Sequence, residues 1–260
     1  MNIEQTVLPN GLRVVSVNLP GFDSAAVAAF VKAGARNETE ANNGIAHFLE
    51  HMAFKGTRTR SALQIGAEIE VLGSNVNAYT SHETTCYFVT GLKGTIDRSV
   101  AIIGDVLCNS VFEPKDIETE KGVILQEIRR ATDSPSSVAY DGYGLTAYPG
   151  QSIGRPILGR AELIEQVTRD HFTGFVGDNY FGENMVVVGC GDFEHEAFVG
   201  MVAVHFDKLP SRKTPVQVVP ARYTGGGVRN TEKDFEQVTI LLGLQSVPET
   251  DPAVYAHKVL

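Results

Sequence analysis

Apolar and polar positions change their period several times along the chain. Residues 12–17 alternate after the Pro9, Asn10, Gly11 turn, and 25–33 form a longer apolar run, so the chain opens as a hairpin followed by a strand. Asn42, Asn43 and Gly44 then open a helix that Gly56 can close. Ser61 is the N-cap of a second helix reaching Gly73, with Ile65, Ile69 and Leu72 on one stripe. Residues 75–80 and 84–90 read as two strands parted by Ser81, His82 and Glu83. A helix over 97–109 turns Val100, Ile103, Val106 and Leu107 inward. Another runs from Pro114 to Thr132 and stops at Ser134 and Pro135. Two shorter helices fall near 160–166 and 168–179, then a buried strand at 184–190, then a helix ending near Phe206.

Past that point the pattern changes. Pro210, Pro215 and Pro220 lie among polar residues and mark a linker. Residues 223–230 and 237–244 resemble strands, and Asp251 with Pro252 starts a helix. That order echoes residues 7–51, so the chain is expected to enter a second copy of its first unit. The predicted division is 1–210 for one domain, 211–222 for a linker and 223–260 for the beginning of a second, incomplete domain.

Composition narrows the class. The 260 residues carry a formal net charge of −9, with 43% apolar and 20% charged residues, ordinary for a globular protein of one large or two modest domains. No run reaches the ~18 apolar residues of a membrane span. Residues 1–19 lack an apolar core behind a basic start, so no signal peptide is expected. The acidic balance speaks against nucleic acid and suits a peptide substrate, including a basic one. Cys86, Cys108 and Cys190 are odd in number and far apart. They predict core thiols in a reducing compartment, with the cytoplasm as the expected location.

The helix that begins near Gly44 carries the chemistry. On a wheel with roughly 100° per residue, His51 falls about 40° from His47 and Glu50 about 60° to the other side. Ile45, Phe48, Leu49 and Met52 take the opposite face. Two imidazoles at i and i+4 can meet one cation, and Glu50 beside them suits a general base for the hydrolytic water. This is the inverted zinc-protease pattern H-x-x-E-H, set against the plainer reading of two surface histidines on an amphipathic helix.

A hydrolytic zinc takes three protein ligands and keeps one position open. The helix at 114–132 offers the third, because Glu120 and Glu127 share its inward stripe with Ile117, Ile124, Ile128 and Ala131. A carboxylate on a buried stripe needs a partner or a metal, unless it lies at the edge and reaches water. Glu127 is the candidate ligand, and Glu120 a natural acceptor for a ligand ring N–H. His82, His171, His195, His205 and His257 show no ligand spacing, and Gly225 to Gly227 reads as a flexible turn.

The segments His47 to Thr57, Asn77 to Thr80 and Glu120 to Glu127 together resemble the pitrilysin-type metallopeptidases. Within that family they most resemble the mitochondrial processing peptidase beta subunit and its bacterial homologues. Ile157, Leu158, Gly159, Asn184 and Met185 fit the same pattern. The resemblance implies an α+β fold, a mixed sheet with helices packed on one side, followed by the start of a second similar domain. It implies zinc held by His47, His51 and Glu127, with Glu50 as base and Glu120 in support. It also implies that an extended peptide adds to the strand at 75–80, near Asn77 and Ala78, and that Phe54 lines a pocket, against the plainer readings of an ordinary edge strand and a core aromatic.

Two departures are visible. An acidic pair that reads a substrate arginine in processing peptidases corresponds here to Ser137 and Asp141, so only Asp141 remains to meet a basic side chain. Family members are also about twice as long, and their second domain helps hold the substrate. A second domain or subunit, as in a dimer, is therefore expected to complete the site. Other readings of the same motif are a non-catalytic core or assembly subunit of this fold and, further off, a metal-dependent lyase that draws a ligand from a cysteine.

Overall fold

A computed structural model describes residues 2–212, 216, 218–225 and 227–259. Residues 213–215 and 217 of the expected linker, and 226 of the expected glycine turn, lie outside the described residues. The elements in chain order are β1 (Asn2–Val7), β2 (Arg13–Asn18), β3 (Ser24–Val31), α1 (Ile45–Met52), α2 (Ala62–Val71), β4 (Asn75–Thr80) and β5 (Thr85–Leu92). There follow α3 (Ile96–Asn109), α4 (Pro114–Thr132), α5 (Pro135–Ala147), α6 (Ala161–Ile164), α7 (Arg169–Asn179), β6 (Met185–Gly191), α8 (His195–His205) and α9 (Val254–His257).

The strands form one sheet in the order β1-β2-β6-β3-β5-β4. Only β2 and β6 run parallel; the other neighbours are antiparallel, so the sheet is mixed. Strand alternation gives it two unlike faces. Val14, Val27, Ala29, Val31, Tyr87, Val89, Met185 and Val187 lie on one face and are buried beneath the helices. There α3 packs on β3 and β5, α8 on β2 and α1 on β4. The other face presents Val15, Val17, Ala28, Phe30, Phe88, Val186 and Val188, all half-buried.

The aromatic core fixes the helix that carries the motif. Phe48 of α1 meets Phe172 of α7 edge-on at 5.0 Å, and Phe172 stacks on Phe112 at 5.2 Å. Phe112 has φ 50, a left-handed conformation rare for an aromatic residue, in the turn that feeds α4. Ser61 caps α2 as expected: its hydroxyl accepts from Gln64 N–H, and Gln64 Oε1 accepts from Ser61 N–H.

Three expectations need correction. Helix α1 ends at Met52, short of Gly56, with a turn between them. The Ser134–Pro135 pair, expected to stop a helix, also starts α5: the Ser134 hydroxyl accepts from Ser137 N–H, and Pro135 takes the first turn, where it needs no N–H partner. Residues 223–230 and 237–244 form no strand among the described residues. A strand exists only through its ladder, and neither segment reaches an edge of the sheet.

Candidate metal centre

Helix α1 packs against β4, α7 and α4, and its polar face meets α4. His47 Nε2 is 3.6 Å and His51 Nε2 3.4 Å from Glu127 Oε2. One ligand atom from each of the three side chains falls within 4.8 Å of the others. Donors about 2.0–2.1 Å from a tetrahedral zinc sit roughly 3.3 Å apart, so two nitrogens and a carboxylate oxygen at these separations fit that ion with one vertex left over.

The surroundings suit ligand chemistry. His51 Nδ1 lies 3.2 Å from Glu120 Oε2, so Nδ1–H donates to that carboxylate and Nε2 keeps its lone pair for the site. Lys55 Nζ holds the other oxygen of Glu120 at 2.6 Å, which keeps the buried carboxylate paired. Burial, and after it the neighbouring His51, pushes the His47 imidazole down to about 4, so the ring is neutral at pH 7, the form that binds metal. His47 Nδ1 is buried without a hydrogen-bond partner among the described residues.

Glu50 points to the same side and receives the Thr80 hydroxyl at 2.6 Å. Burial pushes its carboxyl up, and the Thr80 hydrogen bond pulls part of the way back. Thr80 ends β4, so this hydrogen bond links the sheet edge to α1. On that edge, Ala78 N–H donates to the side-chain oxygen of Asn77 at 2.9 Å. The structure thus brings His47, Glu50, His51, Glu120 and Glu127 together, with Asn77 and Ala78 on the adjoining edge.

Two other candidates stand apart from that cluster. Phe54 is half-buried and packs against the hydrophobic core. Asp141 is on α5, where burial pushes its carboxyl up and His82 pulls it down. Sequence reasoning missed Lys55, Thr80 and Glu38. Lys55 lies inside the motif, one turn after His51, and was the most legible of the three; Thr80 and Glu38 carry no local signal.

Residues 13–161 match the family described as Insulinase (Peptidase family M16), and residues 166–260 match the one described as Peptidase M16 inactive domain. The chain belongs to peptidase family M16. This M16 chain is 40% identical over 244 residues to a Rickettsia bellii protein named "Uncharacterized zinc protease", covering 94% of the chain and 59% of that protein. It is 42% identical over 261 residues to the mitochondrial-processing peptidase subunit beta of Neurospora crassa, covering 98% of the chain and 55% of that protein. A solved protease from Helicobacter pylori superposes with TM-score 0.78 at 27% identity, over 85% of this chain and 54% of that one. The M16 chain spans between half and three-fifths of the length of the curated relatives it matches. Its fold is the M16 fold expected from the motif, and its relatives are zinc proteases and processing peptidases by name.

Proposed function

We propose that this chain is the zinc-bearing part of a metalloendopeptidase that hydrolyses extended or unfolded peptides. The observation that carries the reading is the convergence of His47, His51 and Glu127, with one ligand atom of each inside 4.8 Å. Zinc, when bound, supplies a Lewis acid for the scissile carbonyl and a water whose pKa falls to about 7. The proton work then belongs to Glu50, which takes a proton from the attacking water and returns it to the leaving amine. Thr80 holds the carboxylate toward the sheet edge, where the peptide would lie.

The unpaired side of β4 supports substrate entry by strand addition. A peptide arriving there competes with Asn77 for the Ala78 N–H. Asp141, an exposed residue on α5, suits a basic substrate side chain, while Ser137 offers that side chain no charge. A second homologous domain or subunit, as in a dimer, would complete the site, in keeping with the match of residues 166–260 to the M16 inactive domain. Three free thiols support a reducing, cytoplasmic setting.

Metal analysis after equilibration with Zn2+, paired with cleavage of an unfolded peptide, tests the reading. One zinc per wild-type chain and none in His51→Ala is the expected result. Equal zinc in both would overturn the ligand set. Bound zinc with no cleavage in any assembled state would favour the non-catalytic subunit.

A further inference from the structure

Helix α1 begins under an unusual constraint. Its N-cap is Gly44, at φ 100, and a Cβ there would come within 2.8 Å of Ile164 Cδ1 and 2.9 Å of Gly159 Cα. No side chain fits at that position, so α1 cannot use the Ser, Thr, Asp or Asn that usually serves the first free N–H groups. Those groups are buried, since Gly44, Ile45 and Ala46 are closed off from solvent.

Glu38, from the loop before the helix, takes the role. Its Oε2 accepts from Gly44 N–H at 2.9 Å and from Asn43 Nδ2 at 2.8 Å, and its Oε1 accepts from Ala46 N–H at 2.9 Å. Asn43 Nδ2 also reaches Pro156 O at 3.0 Å, and Arg155 donates to Glu38 O at 2.8 Å. Glu38 is only 4% exposed. Glu38 thus joins the start of α1, held by its side-chain oxygens, to the loop at 155–159, held by its backbone oxygen and by the Asn43 amide.

The geometry points to Glu38 as a positioning residue for the metal site, an inference that rests on the zinc reading above. His47 follows Ala46 directly, and α1 has eight residues, so a small rotation at its first turn carries through to both imidazoles. The ligand nitrogens sit 3.4–3.6 Å from Glu127 Oε2, a spacing with little slack for such a rotation. A carboxylate that receives both the Gly44 and the Ala46 N–H defines where the helix starts and which way it faces. Helix α1 has no side-chain cap of its own to stand in for it.

The test compares wild type with Glu38→Gln and Glu38→Ala, each as the full chain. Three quantities are read: Zn2+ affinity by chelator competition, the visible spectrum of the Co2+-loaded protein, and urea unfolding of the metal-free form. A neutral amide offers one acceptor oxygen where the carboxylate offers two. Glu38→Gln should therefore stay folded, lose about tenfold in Zn2+ affinity and change the Co2+ band, with kcat falling more than KM rises. If Glu38→Ala fails to fold, Glu38→Gln carries the comparison. A Glu38→Gln protein of lower stability but wild-type Zn2+ affinity and Co2+ spectrum would make the carboxylate merely structural and overturn the inference. A wild-type chain that binds no Zn2+ would overturn the zinc reading and this inference with it.

Discussion

Replacing Glu50 by Gln keeps the side chain's size and an oxygen for Thr80, but removes the group that can carry a proton. We expect Glu50→Gln to bind zinc as wild type does and to lose about 10²- to 10⁴-fold in kcat, read by peptide cleavage beside metal analysis. Wild-type turnover would refute the base. Glu38 gives a second residue-scale expectation. Burial pushes its carboxyl up to about 7, against the pull of the Ala46, Gly44 and Asn43 hydrogen bonds and of Arg155. A folded-state value above the unfolded 4.5 means that the native chain keeps a proton the unfolded chain gives up. The associated stability is full below about 4.5 and is lost as pH rises through about 7. In metal-free protein, the stability of wild type relative to Glu38→Gln should therefore fall by on the order of 2 kcal/mol between those limits. A difference that instead grows with pH would mean that the donors outweigh burial.

Among the elements, α1 carries the site and α7 supports it. Phe48 reaches across to Phe172, which is fully buried between it and Phe112. Phe172→Ala should cost about 3–5 kcal/mol in urea unfolding, because the three rings leave no side chain free to fill the gap. The loss should be larger with zinc than without it, since a loosened α1 binds the metal less tightly and gains less stability from it. Most elements were legible from their periodicity: α4 runs from Pro114 to Thr132 as the pattern predicts, and Ser61 caps α2. Helix α5 was not, because Gly142, Gly144 and scattered polar residues hide its stripe and Ser134–Pro135 reads equally as an end or a beginning.

At the scale of the whole molecule, the helices cover one face of the sheet, and the other presents Val15, Val17, Phe30, Phe88 and Val188 half-exposed. Apolar surface of that kind marks a contact waiting for a partner layer. If a second copy completes the site, specific activity should rise with protein concentration as the dimer forms, with sedimentation following the same curve. Activity that is constant from nanomolar to tens of micromolar in a monomer would mean that the chain works alone.

What the sequence determined by itself is local. The i, i+4 placement of His47 and His51, with Glu50 beside them, follows from helix geometry over a single turn, and the common stripe of Glu120 and Glu127 from two turns of another helix. Tertiary structure decided the rest. Only the packing of α1 on α4 brings Glu127 to both imidazoles while leaving Glu120 to His51 and Lys55. Thr80 reaches Glu50 because β4 lies at the end of a sheet whose middle is filled by a late strand, β6. Glu38 finds the start of α1 because Gly159 presses too close for any cap on the helix itself. Periodicity encodes which way a side chain faces on its own element, whereas its partner depends on where distant elements dock.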